Sequence, residues 1–229
     1  MIYIRKSSER GHANHGWLDA RHTFSFANYY DPNFMGFSDL RVINEDRVAP
    51  TMGFGTHPHK DMEILTYVLQ GAIAHKDSMG NVKEFHAGEF QIMSAGTGVT
   101  HSEFNPKEDE TLHLLQIWIM PNELGITPRY DQKRFSDKVG GTLILSPNAE
   151  DGSFKIYQDM KLWRYQFAKN TSEIITLNQN RNYWLQAVKG EFSVNGHAVM
   201  PGDGVAMSEE DTLDIVANDE SEFLLFDLR

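Results

Sequence analysis

The amino-acid sequence predicts an all-β protein made of two β-barrel or jelly-roll domains packed together, with few short helices. Three observations carry this expectation. Short runs of β-branched and aromatic residues recur along the chain, each closed by Gly, Asn, Asp or Pro, as strands joined by turns are. Helical periodicity is scarce, and regularly spaced strands with few helices build sandwiches or barrels. The third observation is a weak internal repeat.

In chain order the strand candidates are residues 63–69, 90–94, 112–120, 141–146, 172–177, 183–188, 204–207 and 223–228. A helix is expected only at 130–135. The repeat sets "TYVLQGAIAHKDSMGNVKEFHAGEFQIMSAG" against "WLQAVKGEFSVNGHAVMPGDGVAMSEED", which aligns Gly71 with Gly190 and His86-Ala87-Gly88-Glu89 with Met200-Pro201-Gly202-Asp203. Each copy reads as a strand, a glycine turn, a short hairpin arm, a second turn and another strand. Between the copies, "MPNELGITPRYDQKRFSDK" is the most polar and turn-rich interval, which is where a linker belongs. The expected domains are residues 1–122 and 139–229, joined by a linker at 123–138.

Composition narrows the functional classes. Of 229 residues, 40% are hydrophobic and 23% charged, near the averages for globular proteins, so neither disorder nor a membrane span is expected. No run approaches the roughly 20 apolar residues that cross a bilayer. The amino-terminal stretch lacks the apolar core of a secretory signal, which makes a cytoplasmic address the default. A formal charge of −11 without a dense basic patch argues against direct nucleic-acid binding. There is no cysteine, so disulfides and thiolate chemistry are excluded, and any metal must be held by nitrogen and oxygen.

The strongest local signal is Thr56-His57-Pro58-His59. Alternate residues of an extended strand share a face, so His57 and His59 can aim two imidazoles at one point. Pro58 fits an edge or bent strand near a site. Further on, Gly96-Thr97-Gly98-Val99-Thr100-His101-Ser102-Glu103 repeats the alternation, placing His101 and Glu103 on one face after a turn that lets backbone approach closely. Three imidazoles and a carboxylate suit Fe, Mn, Co, Ni, Cu or Zn, and four such ligands around an octahedral ion leave two adjacent positions open. The carboxylate leaves a divalent site with net positive charge, still a Lewis acid toward an enolate or phenolate oxygen.

"GTHPHKDMEILTYVLQG" and "GEFQIMSAGTGVTHSEFN" are similar to the two cupin motifs, and with "DARHTFSFANYYDP" they resemble the pirin subfamily of double-domain cupins. The resemblance is specific over the first half of the chain and an outline over the second. It implies that His57, His59, His101 and Glu103 hold one divalent transition-metal ion, Fe(II) first among Fe, Zn, Mn, Co, Ni and Cu. The general cupin pattern would use Glu63 instead; the pirin pattern and strand alternation both favour Glu103, leaving Glu63 as a candidate partner of the ligands.

The resemblance also implies two functions. Some pirin-like proteins are described as quercetin 2,3-dioxygenases. In that reading a flavonol binds the metal through its 3-hydroxyl, Glu103 takes the hydroxyl proton as general base, and O₂ opens the ring with loss of carbon monoxide. The partners are then a small aromatic molecule and O₂, with no nucleic acid and no membrane. A mammalian pirin is described as an iron-dependent transcriptional co-regulator, which implies a metal-sensing interaction module. An open apolar pocket over the metal favours turnover; a plugged site favours the module.

The remaining histidines read more plainly. His12, His15 and His22 are expected to line or brace the site, His75 and His86 to face solvent at a hairpin, and His113 to be a hydrogen-bonded structural residue. His197 is the only histidine after the linker. Thr176 and Asn178 stand about where His57 and His59 do in the first copy, so no second metal set is expected. The aromatic segment Phe24, Phe26, Tyr29, Tyr30, Phe34 and Phe37 suits core packing better than a substrate platform.

Overall fold

A computed structural model describes residues 1–229. Its regular structure is strand throughout, apart from two short 3₁₀ turns at Ser7–Glu9 and Glu150–Gly152. No helix is long and apolar enough to cross a membrane. Each run expected as a strand is one, with ends moved by a residue or two. The run at 130–135 is not a helix. Arg129–Arg134 is a strand antiparallel to Glu89–Ser94, with Arg129 opposite Ser94 and Arg134 opposite Glu89. So short a helix would gain few internal hydrogen bonds for its nucleation cost, whereas a sheet edge offers partners along its whole length.

The chain forms two compact units, Gly11–Phe135 and Met1–Arg10 together with Ser136–Arg229. These bounds differ from the expected ones at both ends. Ile2–Arg5 is hydrogen-bonded to Gly204–Ser208, with Ile2 opposite Met207 and Arg5 opposite Gly204. Lys6 Nζ and Ser7 N then donate to the Asp203 carboxylate at 3.0 and 2.7 Å. Likewise, part of the expected linker is the Arg129–Arg134 edge strand. Strand partners this distant along the chain leave no local mark.

In the Gly11–Phe135 unit, a seven-stranded sheet runs in the order Arg129–Arg134, Glu89–Ser94, Glu63–Gln70, Leu112–Ile119, Leu40–Val48, Leu18–His22, Gly11–Asn14. A four-stranded sheet has the order Gly53–His59, Val99–Phe104, Ala72–Asp77, Val82–His86. The other unit repeats the plan. Its larger sheet runs Ile2–Arg5, Gly204–Ser208, Asn182–Lys189, Ser221–Leu228, Lys161–Phe167, Gly140–Ser146, Phe154–Lys155, and its smaller Thr171–Thr176, Thr212–Ala217, Phe192–Val194, His197–Val199. Gly71 and Gly190 close the turn after equivalent strands with φ of +78° and +74°, a region that favours glycine.

What fills the two interiors differs. Strand Thr212–Ala217 turns Leu213, Ile215 and Ala217 onto Ile175, Phe192 and Val194. Each large apolar side chain there contributes about 1.5–3 kcal/mol of burial. The corresponding strand of the other unit, Val99–Phe104, buries Val99, His101 and Glu103 instead. A buried imidazole or carboxylate costs free energy unless something compensates it.

Candidate metal centre

Three neighbouring strands carry the polar set: Gly53–His59, Val99–Phe104 and Ala72–Asp77. His101 lies opposite His57 on one side and Asp77 on the other, and Glu103 lies opposite His75. Directly opposed residues of antiparallel strands project to the same side, so all five side chains share the inner face. The register against Gly53–His59 shifts between His101 and Glu103, a bulge of the kind that re-aims side chains near sites. Gly53 permits it: a Cβ there would lie 2.2 Å from the Glu103 carbonyl oxygen.

The Nε2 atom of His101 lies 2.9 Å from Nε2 of His59 and 3.0 Å from Nε2 of His57. His57 Nδ1 donates to the Gly55 carbonyl at 2.8 Å, which leaves its Nε2 as a lone pair. His101 Nε2 can carry one proton at most, and one proton cannot lie on both short lines. A cation at the centre removes the conflict. Two metal–nitrogen bonds of about 2.1 Å at a right angle end about 3.0 Å apart, the spacing found here. Burial, then His57 and His75, hold the His101 ring down at about 3 against the pull of Asp77. Burial, then His101 and His57, hold His59 at about 4 against Glu103. Both rings therefore keep their lone pairs at neutral pH.

Ligand atoms of His57, His59 and His101 lie within 4.8 Å of one another, and those of His75, His101 and Glu103 form a second such group. Glu103 is buried; its Oε2 accepts from Gln116 Nε2 at 3.0 Å, while Oε1 has no partner. A buried carboxylate oxygen without a hydrogen-bond partner, beside a histidine shared by both groups, fits a cation by its donor chemistry. Glu63 belongs to neither group. It alternates with Ile64, which packs in the interior with Met93 and Val99, so it faces the opposite side, buried 3.5 Å from the Arg129 guanidinium.

A cavity of about 420 Å³ opens over these residues, with His57, His59 and Glu103 in its wall and Trp17, Phe26, Phe54 and Trp118 around them. Trp118 meets the His59 ring edge-on at 5.1 Å and Phe26 at 5.4 Å. Its polar lining includes Asn44, Asp46 and Gln116. Burial, then Glu103 and Glu45, push the Asp46 carboxyl up to about 7. A second cavity of about 430 Å³ shares Leu18, Ala20, His22, Phe26 and Phe54 with the first and carries His12 and His15.

His22 Nδ1 donates to Asn44 Oδ1 at 2.8 Å, buried, and so braces the wall as expected. His12 is an exposed partner of Asp19 at 2.9 Å. His113 is the hydrogen-bonded residue expected, 2.9 Å from Glu45 Oε1. His86 faces solvent, but His75 does not: it is 1% exposed, with Nε2 donating to Asp77 Oδ2 at 3.0 Å. Ile73, His75 and Asp77 instead alternate on the buried side of their strand, in phase with His101 and Glu103. The aromatic segment divides. Phe24 is core and Tyr30 is 71% exposed, while Phe26 walls the cavity.

Residues 3–119 match the family model described as Pirin, and residues 143–228 the one described as Quercetinase C-terminal cupin domain. The chain is 60% identical over 228 residues to a protein of Escherichia coli (strain K12) named quercetin 2,3-dioxygenase, covering 100% of this chain and 99% of that one. It is 39% identical over 231 residues to a pirin-like protein of Caulobacter vibrioides, covering 99% of each. Among solved structures it is similar to bacterial pirin YhhW from Escherichia coli in complex with nickel(II). The identity there is 60%, with 100% of this chain and 99% of that one covered and a TM-score of 0.97.

Proposed function

Because the chain belongs to the pirin family of double-domain cupins, we propose that it is a metal-dependent dioxygenase that opens the heterocycle of a flavonol such as quercetin. The observation that carries this is the open aromatic cavity standing on three converging imidazole nitrogens and an orphaned carboxylate oxygen. An open cavity supports turnover over a purely metal-sensing interaction module.

His57, His59 and His101 would hold the ion through Nε2, and Glu103 through its carboxylate. Fe(II) is the first expectation, and the imidazole–carboxylate set equally suits the nickel(II) held by the similar structure. When bound, the ion supplies Lewis acidity toward an enolic oxygen and a centre for O₂ chemistry.

The rest is work for the chain. Trp17, Phe26, Phe54 and Trp118 present ring faces and edges to a flat aromatic substrate and keep water off it. The Glu103 carboxylate, which borders the cavity, would take the 3-hydroxyl proton, and Gln116, donating to its Oε2, keeps it from turning. Proton removal makes the flavonol electron-rich. Both atoms of O₂ then enter the ring-opened ester, C3 leaves as carbon monoxide, and the proton returns to the product from Glu103.

The test is flavonol absorbance followed under air with protein reconstituted separately with Fe(II), Mn, Co, Ni, Cu and Zn. Loss of absorbance with at least one metal, and a fall of about a hundredfold or more in Glu103→Gln, are expected. No loss with any metal, or unchanged turnover in Glu103→Gln, would overturn the proposal.

A further inference from the structure

On the inner face of the larger sheet of the Gly11–Phe135 unit, one register row is polar across six strands. His22, Asn44, Gln116, Thr66, Gln91 and Gln132 are successive direct partners. The first three border the cavity over the metal position. The others lie beyond Gln116, and the row joins the smaller sheet at three points, one of them Gln132 Nε2 donating to the Glu84 carbonyl at 3.3 Å. Gln116 Nε2 donates to Glu103 Oε2 at 3.0 Å. Tyr130, whose hydroxyl donates to Gln132 Oε1 at 2.6 Å, packs on the His75 ring with centroids 4.7 Å apart. Since His75 lies opposite Glu103 in the strand register, these side chains close a ring behind Glu103.

Four members of this ring, each at most 2% exposed, hold polar atoms without a partner: Thr66 Oγ1, both amide atoms of Gln91, His75 Nδ1 and Glu103 Oε1. Such groups in a barrel interior call for a polar occupant. Its chemistry follows from the donor inventory. Asp77 accepts from Met79 N, Asn81 N and Asn81 Nδ2 and from His75 Nε2. With that ring in its neutral form Nδ1 is an acceptor, and Glu103 Oε1 is an acceptor too, with one lone pair to spare when the other faces an ion. Two acceptors cannot bond one another. A small molecule with two donors can bridge them while its own oxygen receives the Thr66 hydroxyl or the Gln91 amide, and water is the smallest that does so with two to four partners.

We propose that this ring is a water site, and that His75, oriented by Asp77, is a positioning residue that holds Glu103 in its metal-facing orientation through that water. This rests on the reading of Glu103 as a metal ligand. It adds an outer set of residues, on the side away from substrate, on which metal affinity depends.

The experiment titrates the metal-free full-length protein with Co(II), reading affinity by chelator competition, the visible Co(II) absorption and the melting temperature. His75→Phe is expected to weaken Co(II) binding about ten- to a hundredfold and to shift the absorption bands. Thr66→Val, nearly isosteric, weakens it in the same direction and lowers the metal-free melting temperature by about 2–4 °C, and Thr66→Ser restores both. Should His75→Phe fail to fold, the Thr66 pair carries the test. Affinity within about twofold of wild type in the folded variants overturns the proposal. So does a higher melting temperature in Thr66→Val, which is what removing a bare hydroxyl gives. Glu103→Gln separates the two layers. If it leaves Co(II) affinity unchanged, the metal-site reading falls and this inference with it; if it alone weakens binding, only the outer positioning role falls.

Discussion

At the scale of the residue, the centre is an arrangement of lone pairs. Three Nε2 atoms converge with contacts of 2.9 and 3.0 Å on His101, and His101 is the member shared by both ligand groups. His101→Ala is therefore expected to keep about a tenth or less of the metal bound by the parent protein. His113→Ala, whose ring bonds to Glu45 instead, keeps it all; metal analysis of the purified, untagged proteins reads both. The four proposed ligands were legible in the sequence because strand alternation is a local rule that needs no knowledge of the partner strand. His75 and Asp77 were not. Their alternation was equally present, but whether a strand's polar side faces in or out depends on which face another sheet covers. Glu63 shows the same limit from the other direction: one residue of phase turns it toward Arg129.

At the scale of the element, the site depends on backbone approach as much as on ligands. Strand Gly53–His59 comes so close to the bulged strand Val99–Phe104 that a Cβ on Gly53 would sit 2.5 Å from the Phe104 Cα. Gly53→Ala should cost about 1–3 kcal/mol, the usual range for overpacking. It should also weaken metal binding although no ligand is altered, because Glu103 lies across the bulge. Denaturant unfolding and metal titration measure the two effects. An unchanged affinity would mean that the bulge does not aim Glu103. Strands with dense β-branched and aromatic runs were readable from the sequence, since they answer to propensity. Leu40–Val48 was not, because its inward positions include Asn44 and Asp46, polar residues that serve the cavity rather than the core. Arg129–Arg134 was mistaken for helix because its structure comes from the free edge of Glu89–Ser94.

At the scale of the whole molecule, one strand plan is used twice with different interiors. The unit holding Ser136–Arg229 is filled by packed apolar and aromatic side chains, and the partly buried Tyr165 packs against them, stacked on Phe223 at 5.2 Å. Burial, then Glu173, push its phenol from 10.0 up to about 12. A folded-state value above the unfolded one stabilises fully below pH 10 and is lost as pH rises through about 12. Stability should therefore fall across that window, and Tyr165→Phe should flatten the fall when melting is followed against pH. An identical alkaline slope in the variant would remove Tyr165 as its source. By itself the sequence determined the all-β class, the duplication, the strands dense in β-branched residues and the two histidine-bearing pairs, all properties carried by neighbours a few residues apart. Only the tertiary structure decided that Ile2–Arg5 belongs with the later unit, that Arg129–Arg134 completes the earlier one, that Glu63 faces away, and that His75 is buried opposite Glu103. The physical reason is the same in each case. A strand's hydrogen-bond partners and its covered face are supplied by segments far along the chain, and a period of two carries no record of which segment that is.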